Sequence, residues 1–410
     1  MQIQAFQGLV PAPGKHATVA SVPYDVVNRE EAAAEGEGKP ESFIHVVRAE
    51  IDLPAEVDAY DDAVYAKAQE NFDRLVGDGV LVREDQPAFY LYQQRDGEHV
   101  QTGVVCTCHI DDYANDIIRK HEKTRPAKED DRTRLGDTLG ANTGPVFLTY
   151  RQNDALRTTM AQLLEENDPD WQFTASDGVV HAGWKITGET ATTLAEGFKP
   201  VALAYVADGH HRSASAHRVG SARRAANPDH HGDEAYNWFL CVLFPAEELC
   251  ILPYNRVVRD LAGQSPQEFL AALGRICTLR EVSEKSPAKP RSVSMFLDGT
   301  WYGLELHADP DAGPVERLDV SLLQDQVLEP LLAIADPRTE SRIDFVGGIR
   351  GPQELERLVD AGDFAVGFSM FPVSVNELME IADAGQIMAP KSTWFEPKLR
   401  SGLFVHTIDS

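Results

Sequence analysis

No stretch of this chain approaches the roughly 18 consecutive apolar residues of a membrane span. The opening Met1-Gln2-Ile3-Gln4-Ala5-Phe6 has neither the basic patch nor the apolar run of a secretory signal. No membrane partner is expected, and the chain reads as cytoplasmic. Positive charge is scarce as well: 38 Lys and Arg face 65 Asp and Glu, a formal charge of -27. A field of that sign repels phosphodiester backbones and anionic lipid, so nucleic acid is not an expected partner. A small anion is still admissible, because a few oriented N–H groups and one or two cations reverse the potential locally. Such a site has to be compact and loop-built.

Glycine-rich nucleotide fingerprints are missing. Neither Gly-x-Gly-x-x-Gly nor a phosphate loop ending in Gly-Lys-Ser or Gly-Lys-Thr occurs. Gly-x-Ser-x-Gly is absent too, which argues against a serine-elbow hydrolase. No repeat period is visible, so solenoids and propellers drop out. The five cysteines are odd in number and irregularly spaced, which fits reduced thiols rather than a disulfide framework. Cys106-Thr107-Cys108-His109 places two thiols on one face of a strand and looks like part of a metal site. The second ligand pair of a closed zinc site is missing, so packing of two small apolar residues is the preferred reading.

What is present describes an ordinary folded chain. Its 410 residues exceed the roughly 250–300 at which one core stops growing, which predicts two domains. The best linker, rich in Ser, Pro and charge, lies at residues 283–291, giving domains at 1–285 and 286–410. Extended pieces are expected at residues 3–9, 18–21 and 43–47. Asn28 is placed to cap a short helix over Glu30, Glu31 and the alanines that follow, stopped by Gly36 and Gly38. Apolar residues at three- and four-residue steps predict a helix over 60–76. Alternation around Asp96-Gly97 predicts a hairpin from 88–93 and 99–110. Strands follow at 146–150, 171–174, 179–186 and 200–207, with helices at 154–166 and 212–226. Beyond Cys250 come a helix at 266–273, a hairpin of 292–297 with 300–306, a helix at 320–334, a strand at 364–370 and a helix at 373–384. The fold class is α/β with mixed α+β sheets, in two halves each having a sheet and helices.

The junction Asp208-Gly209-His210-His211-Arg212, between a buried strand and a helix, is the most informative feature. Glycine lets the backbone approach a ligand, and first-turn amides of the helix suit a phosphate. His210, His211 and Arg212 add donors there, and Arg212 can grip phosphate oxygens as a fork. Asp208, ending the strand, is placed to hold a divalent cation or to accept a proton from an attacking hydroxyl. The bland alternative is that Asp208 caps the helix and the histidines solvate its first turn.

A second polar knot runs from His121 and Glu122 through Thr124 to Arg132. It reads equally as a ligand loop or as a solvated charged helix. A third, at Lys391, Ser392, Trp394 and Lys398, mixes aromatics, hydroxyls and ammonium groups that can stack a base and hold phosphates or simply seal a core. Pro253-Tyr254-Asn255-Arg256 and Asp344-Phe345-Val346-Gly347-Gly348 stand similarly open.

Taken in order, Val22-Pro23-Tyr24-Asp25-Val26, Phe43-Ile44-His45-Val46, His121-Glu122-Lys123-Thr124, Ala207-Asp208-Gly209-His210-His211-Arg212, Asp344-Phe345-Val346-Gly347-Gly348 and Lys391-Ser392-Thr393-Trp394-Phe395 with Pro397-Lys398-Leu399 resemble motifs of the family called domain of unknown function 1015. The Asp208–Arg212 element is in turn similar to the phosphate-binding turn of the ParB/sulfiredoxin-like fold, used by ADP-dependent free-serine kinases. That resemblance implies a ParB/sulfiredoxin-like nucleotide-binding core with a large insertion, about residues 52–199, and a second α/β half. It implies that Gly209, His210, His211 and Arg212 hold nucleotide phosphates, with Asp208 assisting a metal or the hydroxyl. Those kinases use an early acidic residue as base, for which Glu30 and Glu31 are the candidates. Sulfiredoxins carry cysteine where this chain has His210, which argues against sulfinic-acid reduction.

The leading expectation is a small-molecule phosphotransferase that uses ADP or ATP with Mg2+ to phosphorylate the hydroxyl of a metabolite, L-serine being the first candidate. Asp208, His210 and Glu30 are its expected catalytic residues and Asp208 its metal ligand. Gly209, His210, His211, Arg212, His121, Glu122, Thr124, Lys391, Ser392 and Lys398 are the expected cofactor contacts. A non-catalytic nucleotide-binding regulator and a metal-dependent hydrolase built on His121, His210 and His211 are the alternatives. Self-association into a homo-oligomer is left open.

Overall fold

The computed structural model describes residues 1–409 and has two compact units. The first comprises Met1–Lys120, Thr124–Leu249 and Pro397–Ser410, the second His121–Lys123 and Cys250–Glu396. Residues 285 and 286, where the sequence suggests a boundary, lie within the second unit. The stretch at 283–291 joins two strands of one sheet there and is not a linker between the units.

The first unit is built on a nine-stranded sheet. Its strands are β1 (Ile3–Gln4), β2 (Phe89–Asp96), β3 (His99–His109), β4 (Ile118–Arg119), β5 (Val146–Tyr150), β6 (Trp171–Thr174), β7 (Val180–Ile186), β8 (Ala204–Asp208) and β9 (Trp238–Pro245). Their order is β4-β8-β5-β9-β3-β2-β7-β6, with β1 beside β3. β8 runs parallel to β4 and β9 parallel to β5, while the other pairings are antiparallel. The sheet is therefore mixed, as the α/β reading requires. The β2–β3 hairpin closes over Gly97, whose φ of 56° is a conformation glycine adopts without strain.

Six helices of this unit matter here: α1 (Arg29–Gly36), α2 (Asp62–Gly77), α3 (Pro126–Leu139), α4 (Asp154–Glu166), α5 (Gly188–Phe198) and α6 (His210–Ala226). Asn28 caps α1 through a capping box: its Oδ1 accepts the Glu31 amide at 2.8 Å and Glu31 Oε2 accepts the Asn28 amide at 2.9 Å. Leu156 and Met160 of α4 and Leu194 and Phe198 of α5 share a core with Leu91, Val104, Leu148 and Val206 of the sheet. A second core gathers Phe72 and Leu75 of α2 with Leu135 and Leu139 of α3, Phe43 and Ile44.

Residues 43–47 and the first half of 18–21 differ from expectation. Ile44–Val47 and His16–Val19 are helical turns, whereas Ser21 is extended and bridges antiparallel to Ser401. The Val46 and Val47 amides turn back onto the Phe43 carbonyl, and a short apolar run buried all round carries no period that separates strand from helix. β8 starts at Ala204, four residues later than the apolar run suggests.

The second unit is a fully antiparallel six-stranded sheet of β10 (Tyr254–Val258), β11 (Thr278–Glu281), β12 (Ser292–Leu297), β13 (Thr300–Glu305), β14 (Ile343–Gly347) and β15 (Val366–Met370), in the order β11-β13-β12-β15-β10-β14. It carries α7 (Pro266–Ile276), α8 (Gly351–Asp360) and α9 (Val375–Asp383). Val257, Phe296, Val346 and Leu355 form its core. The helix expected over 320–334 is broken: Asp319–Leu323 passes into a π turn at Gln324–Leu328 and ends in Glu329–Leu332. Pro330 supplies no amide to the ladder, and its ring clashes with the preceding turn, a sufficient cause for the widening.

Candidate functional site

β8 ends in a local irregularity, its register against β5 shifting between Val206 and Asp208. Gly209 follows with φ 94° and ψ 32°, and α6 then runs for 17 residues. No side chain caps this helix start, so Asp208 does not play the capping role that the bland reading gave it. A Cβ at Gly209 would sit 3.0 Å from Arg212 Nε. Glycine is thus required both by the left-handed backbone and by the approach of the arginine.

Asp208 Oδ2 accepts a hydrogen bond from Lys398 Nζ at 3.0 Å, and its Oδ1 lies 3.9 Å from Arg212 Nη2. Burial pushes this carboxyl up, but Lys398 and Arg212 outweigh it and hold the group far below the usual carboxylate range. Asp208 is therefore ionised at every physiological pH. It suits binding of a cation and makes a poor proton acceptor. Lys398 is itself positioned by Gln94, whose Nε2 donates to the Lys398 carbonyl at 2.8 Å.

Arg212 Nη1 donates to the Pro145 carbonyl at 2.6 Å, while its buried Nε has no hydrogen-bond partner. A cavity of about 50 Å3 lies beside it, lined by Tyr24, Arg132, Asn142, Thr143 and Gly144 as well as Arg212. Arg132 is held on two sides, by Asp131 at 2.7 Å and by the Tyr24 ring, 4.0 Å from its guanidinium carbon. From sequence, Arg132 stands open between a ligand loop and a solvated charged helix. It lies three residues before Leu135 and seven before Leu139, on the buried stripe of α3, and that spacing was the available signal.

His210 is buried at the head of α6. His211 Nε2 accepts the Arg125 amide at 2.9 Å, so this nitrogen carries no proton and His211 ties down the residue that precedes α3. The knot at 121–132 resolves into an extended lead and a helix. Thr124 Oγ1 donates to Glu129 Oε2 at 2.5 Å, and Pro126 opens α3. Glu30 is exposed in the first turn of α1, with no hydrogen bond or ion pair to the Asp208 turn among the described residues.

Four expected contacts belong to the second unit. The His121 carbonyl accepts the Met388 amide at 2.8 Å, and Glu122 is half-buried beside it in sequence. Lys391 adopts φ 57°; its ammonium stands 5.2 Å from the centre of the Tyr254 ring, and its carbonyl accepts from Arg256 Nη2 at 3.2 Å. Ser392 Oγ donates to the Ala389 carbonyl at 2.6 Å. The structure thus gathers Asp208, Gly209, His210, His211, Arg212 and Lys398 in the first unit, and Lys391 with Tyr254 and Arg256 in the second.

The profile of the family described as "Protein of unknown function (DUF1015)" matches residues 3–321, and the chain belongs to that family. No curated protein matches the sequence. Among solved structures, a free serine kinase in complex with AMP is similar at 12% identity, covering 72% of this chain and 86% of its own, with a TM-score of 0.36. SbnI with a C-terminal truncation from Staphylococcus aureus is similar at 12% identity over 72% of this chain and 85% of its own, TM-score 0.40. A conserved hypothetical protein from Pyrococcus furiosus is similar at 12% identity, 73% and 93% coverage and TM-score 0.35. No helix among the described residues is long and apolar enough to cross a membrane.

Proposed function

We propose that the Asp208–Arg212 turn is a nucleotide-phosphate site and that the protein is a phosphotransferase acting on the hydroxyl of a small metabolite. The observation that carries this reading is the uncapped start of α6 behind a left-handed glycine, with the unsatisfied Nε of Arg212 beside it. An uncapped helix start attracts anions through oriented amides, and a guanidinium adds a charge-assisted hydrogen bond. The pair Lys398 and Arg212 makes this turn locally positive within an acidic protein.

In the transfer, the bond between the terminal phosphorus and its bridging oxygen breaks, and a bond from phosphorus to the acceptor oxygen forms. The acceptor's hydroxyl proton leaves to a base, and the nucleotide departs one phosphate shorter. Such chemistry depends on positioning and charge neutralisation more than on covalent help. Magnesium takes most of its shell from phosphate and water and needs only one or two carboxylates. Asp208, ionised and with Oδ1 not bonded to Lys398, would hold it there. Since Asp208 is too acidic for the base, that role falls to another group, with Glu30 as the candidate; its exposed position requires the substrate to reach it.

The test is a thermal-shift panel of ADP, ATP, AMP and pyrophosphate, with and without magnesium, followed by product analysis with L-serine. A ligand at 100 times its Kd adds roughly 2.7 kcal/mol to stability. Stabilisation by ADP or ATP and a magnesium-dependent phosphorylated product are expected. No stabilisation by any of the four overturns the phosphate site. Stabilisation without a product from any hydroxyl acceptor favours a nucleotide-binding regulator.

A further inference from the structure

Three of the five cysteines meet at one point of the first unit, although their spacing in sequence does not suggest it. Cys106 and Cys108 alternate along β3 and so share one face of the sheet. The register of β3 against β9 sets Cys241 directly opposite Cys106 and Phe239 opposite Cys108. The Cys241 sulfur lies 3.1 Å from that of Cys108 and 3.5 Å from that of Cys106. All three sulfurs fall within 4.8 Å of one another, and all three residues are fully buried. The third thiol beside Cys106 and Cys108 comes from another strand.

We propose that Cys106, Cys108 and Cys241 form a three-sulfur site for a soft monovalent metal ion, copper(I). Three sulfurs around one point match trigonal coordination, and no nitrogen or oxygen ligand joins this group among the described residues. A structural zinc site needs four ligands, so zinc is not matched. The surrounding core of Val104, Leu148 and Leu243 offers no water shell, which excludes ions that retain hydration. Thiolate ligands select soft ions, copper(I) among them. Binding is ligand exchange without redox change: each ligating thiol gives its proton to solvent as its bond to copper forms, and copper stays in the +1 state.

The test uses reduced full-length protein under anaerobic conditions, titrated with copper(I) in acetonitrile against bathocuproine disulfonate. Because the sulfurs are buried, copper is supplied both to native protein and during refolding from urea. One copper per chain, with ultraviolet thiolate-to-copper charge transfer, is expected in at least one of the two. Cys241→Ser should lose stoichiometric binding, and Cys250→Ser and Cys277→Ser should retain it. If circular dichroism shows Cys241→Ser unfolded, Cys108→Ala gives the same comparison. Failure of both loadings to withstand the competitor, equal retention by a folded Cys241→Ser or Cys108→Ala, or a disulfide among the three in freshly isolated protein overturns the proposal.

Discussion

Lys398 Nζ donates to Asp208 Oδ2 at 3.0 Å, joining residues 190 positions apart in the chain. The ammonium is 14% exposed and the carboxylate 24%, so each is partly withdrawn from water and depends on the other. This pairing connects two motifs of the family that no spacing argument relates. It also fixes the charge of the turn, because Lys398 and Arg212 together outnumber the one carboxylate they flank.

Lys398→Met leaves Asp208 without its nearest cation. The expected loss of stability is about 1–2 kcal/mol, a charge-assisted hydrogen bond discounted for solvent exposure. Urea unfolding at pH 7 measures it. Asp208→Asn combined with Lys398→Met should cost less than the sum of the single changes, because a double-mutant cycle cancels the unpaired charge. Strict additivity would mean that the pair contributes nothing.

Gly209→Ala places a Cβ at a left-handed position 3.0 Å from Arg212 Nε. A left-handed non-glycine residue costs about 1–2 kcal/mol. The variant should be destabilised by that amount and, more tellingly, should weaken nucleotide binding by displacing the arginine. Calorimetric titration alongside thermal unfolding separates the two effects.

His211→Ala removes the acceptor of the Arg125 amide. The expected cost is about 1 kcal/mol, concentrated at the start of α3, with faster amide exchange at Arg125 as the local sign. The sequence presents His211 as a phosphate donor; its Nε2 is already engaged, so any direct contact with ligand must use Nδ1.

The helices at 62–77 and 154–166 and the β2–β3 hairpin carry long periods or an Asp-Gly turn, signals that tertiary packing seldom overrides. Residues 43–47 are five apolar or half-apolar residues without a period, and burial decided them. The Asp208 turn was visible because strand, glycine and cationic helix start are contiguous. The position of Lys398 was not, since it depends on where the chain returns after residue 397. The thiol cluster was half visible: Cys106 and Cys108 share a face by alternation, whereas Cys241 is brought in by strand register alone.

His181 gives a prediction in pH. It is buried between Tyr92, whose hydroxyl lies 2.7 Å from Nδ1, and Arg400, whose Nε donates to Nε2 at 3.3 Å. Burial, reinforced by Arg400, lowers its pKa to about 3. The unfolded chain takes up a proton near pH 6.5 that the folded one refuses, so this residue's contribution is intact above that pH and is lost as pH falls. The stability difference between wild type and His181→Gln should shrink by about 1.4 kcal/mol for each pH unit from 6.5 toward 3. Urea midpoints at several pH values check it; a constant difference would contradict a neutral buried imidazole.

Hydrogen–deuterium exchange across residues 209–213, with and without saturating ADP and magnesium, asks the central question most directly. If the Asp208 turn holds the phosphates, exchange slows in this segment when nucleotide binds, and Gly209→Ala diminishes the protection along with the affinity. Tight nucleotide binding that leaves these amides exchanging as before would place the phosphates elsewhere and contradict the proposed site.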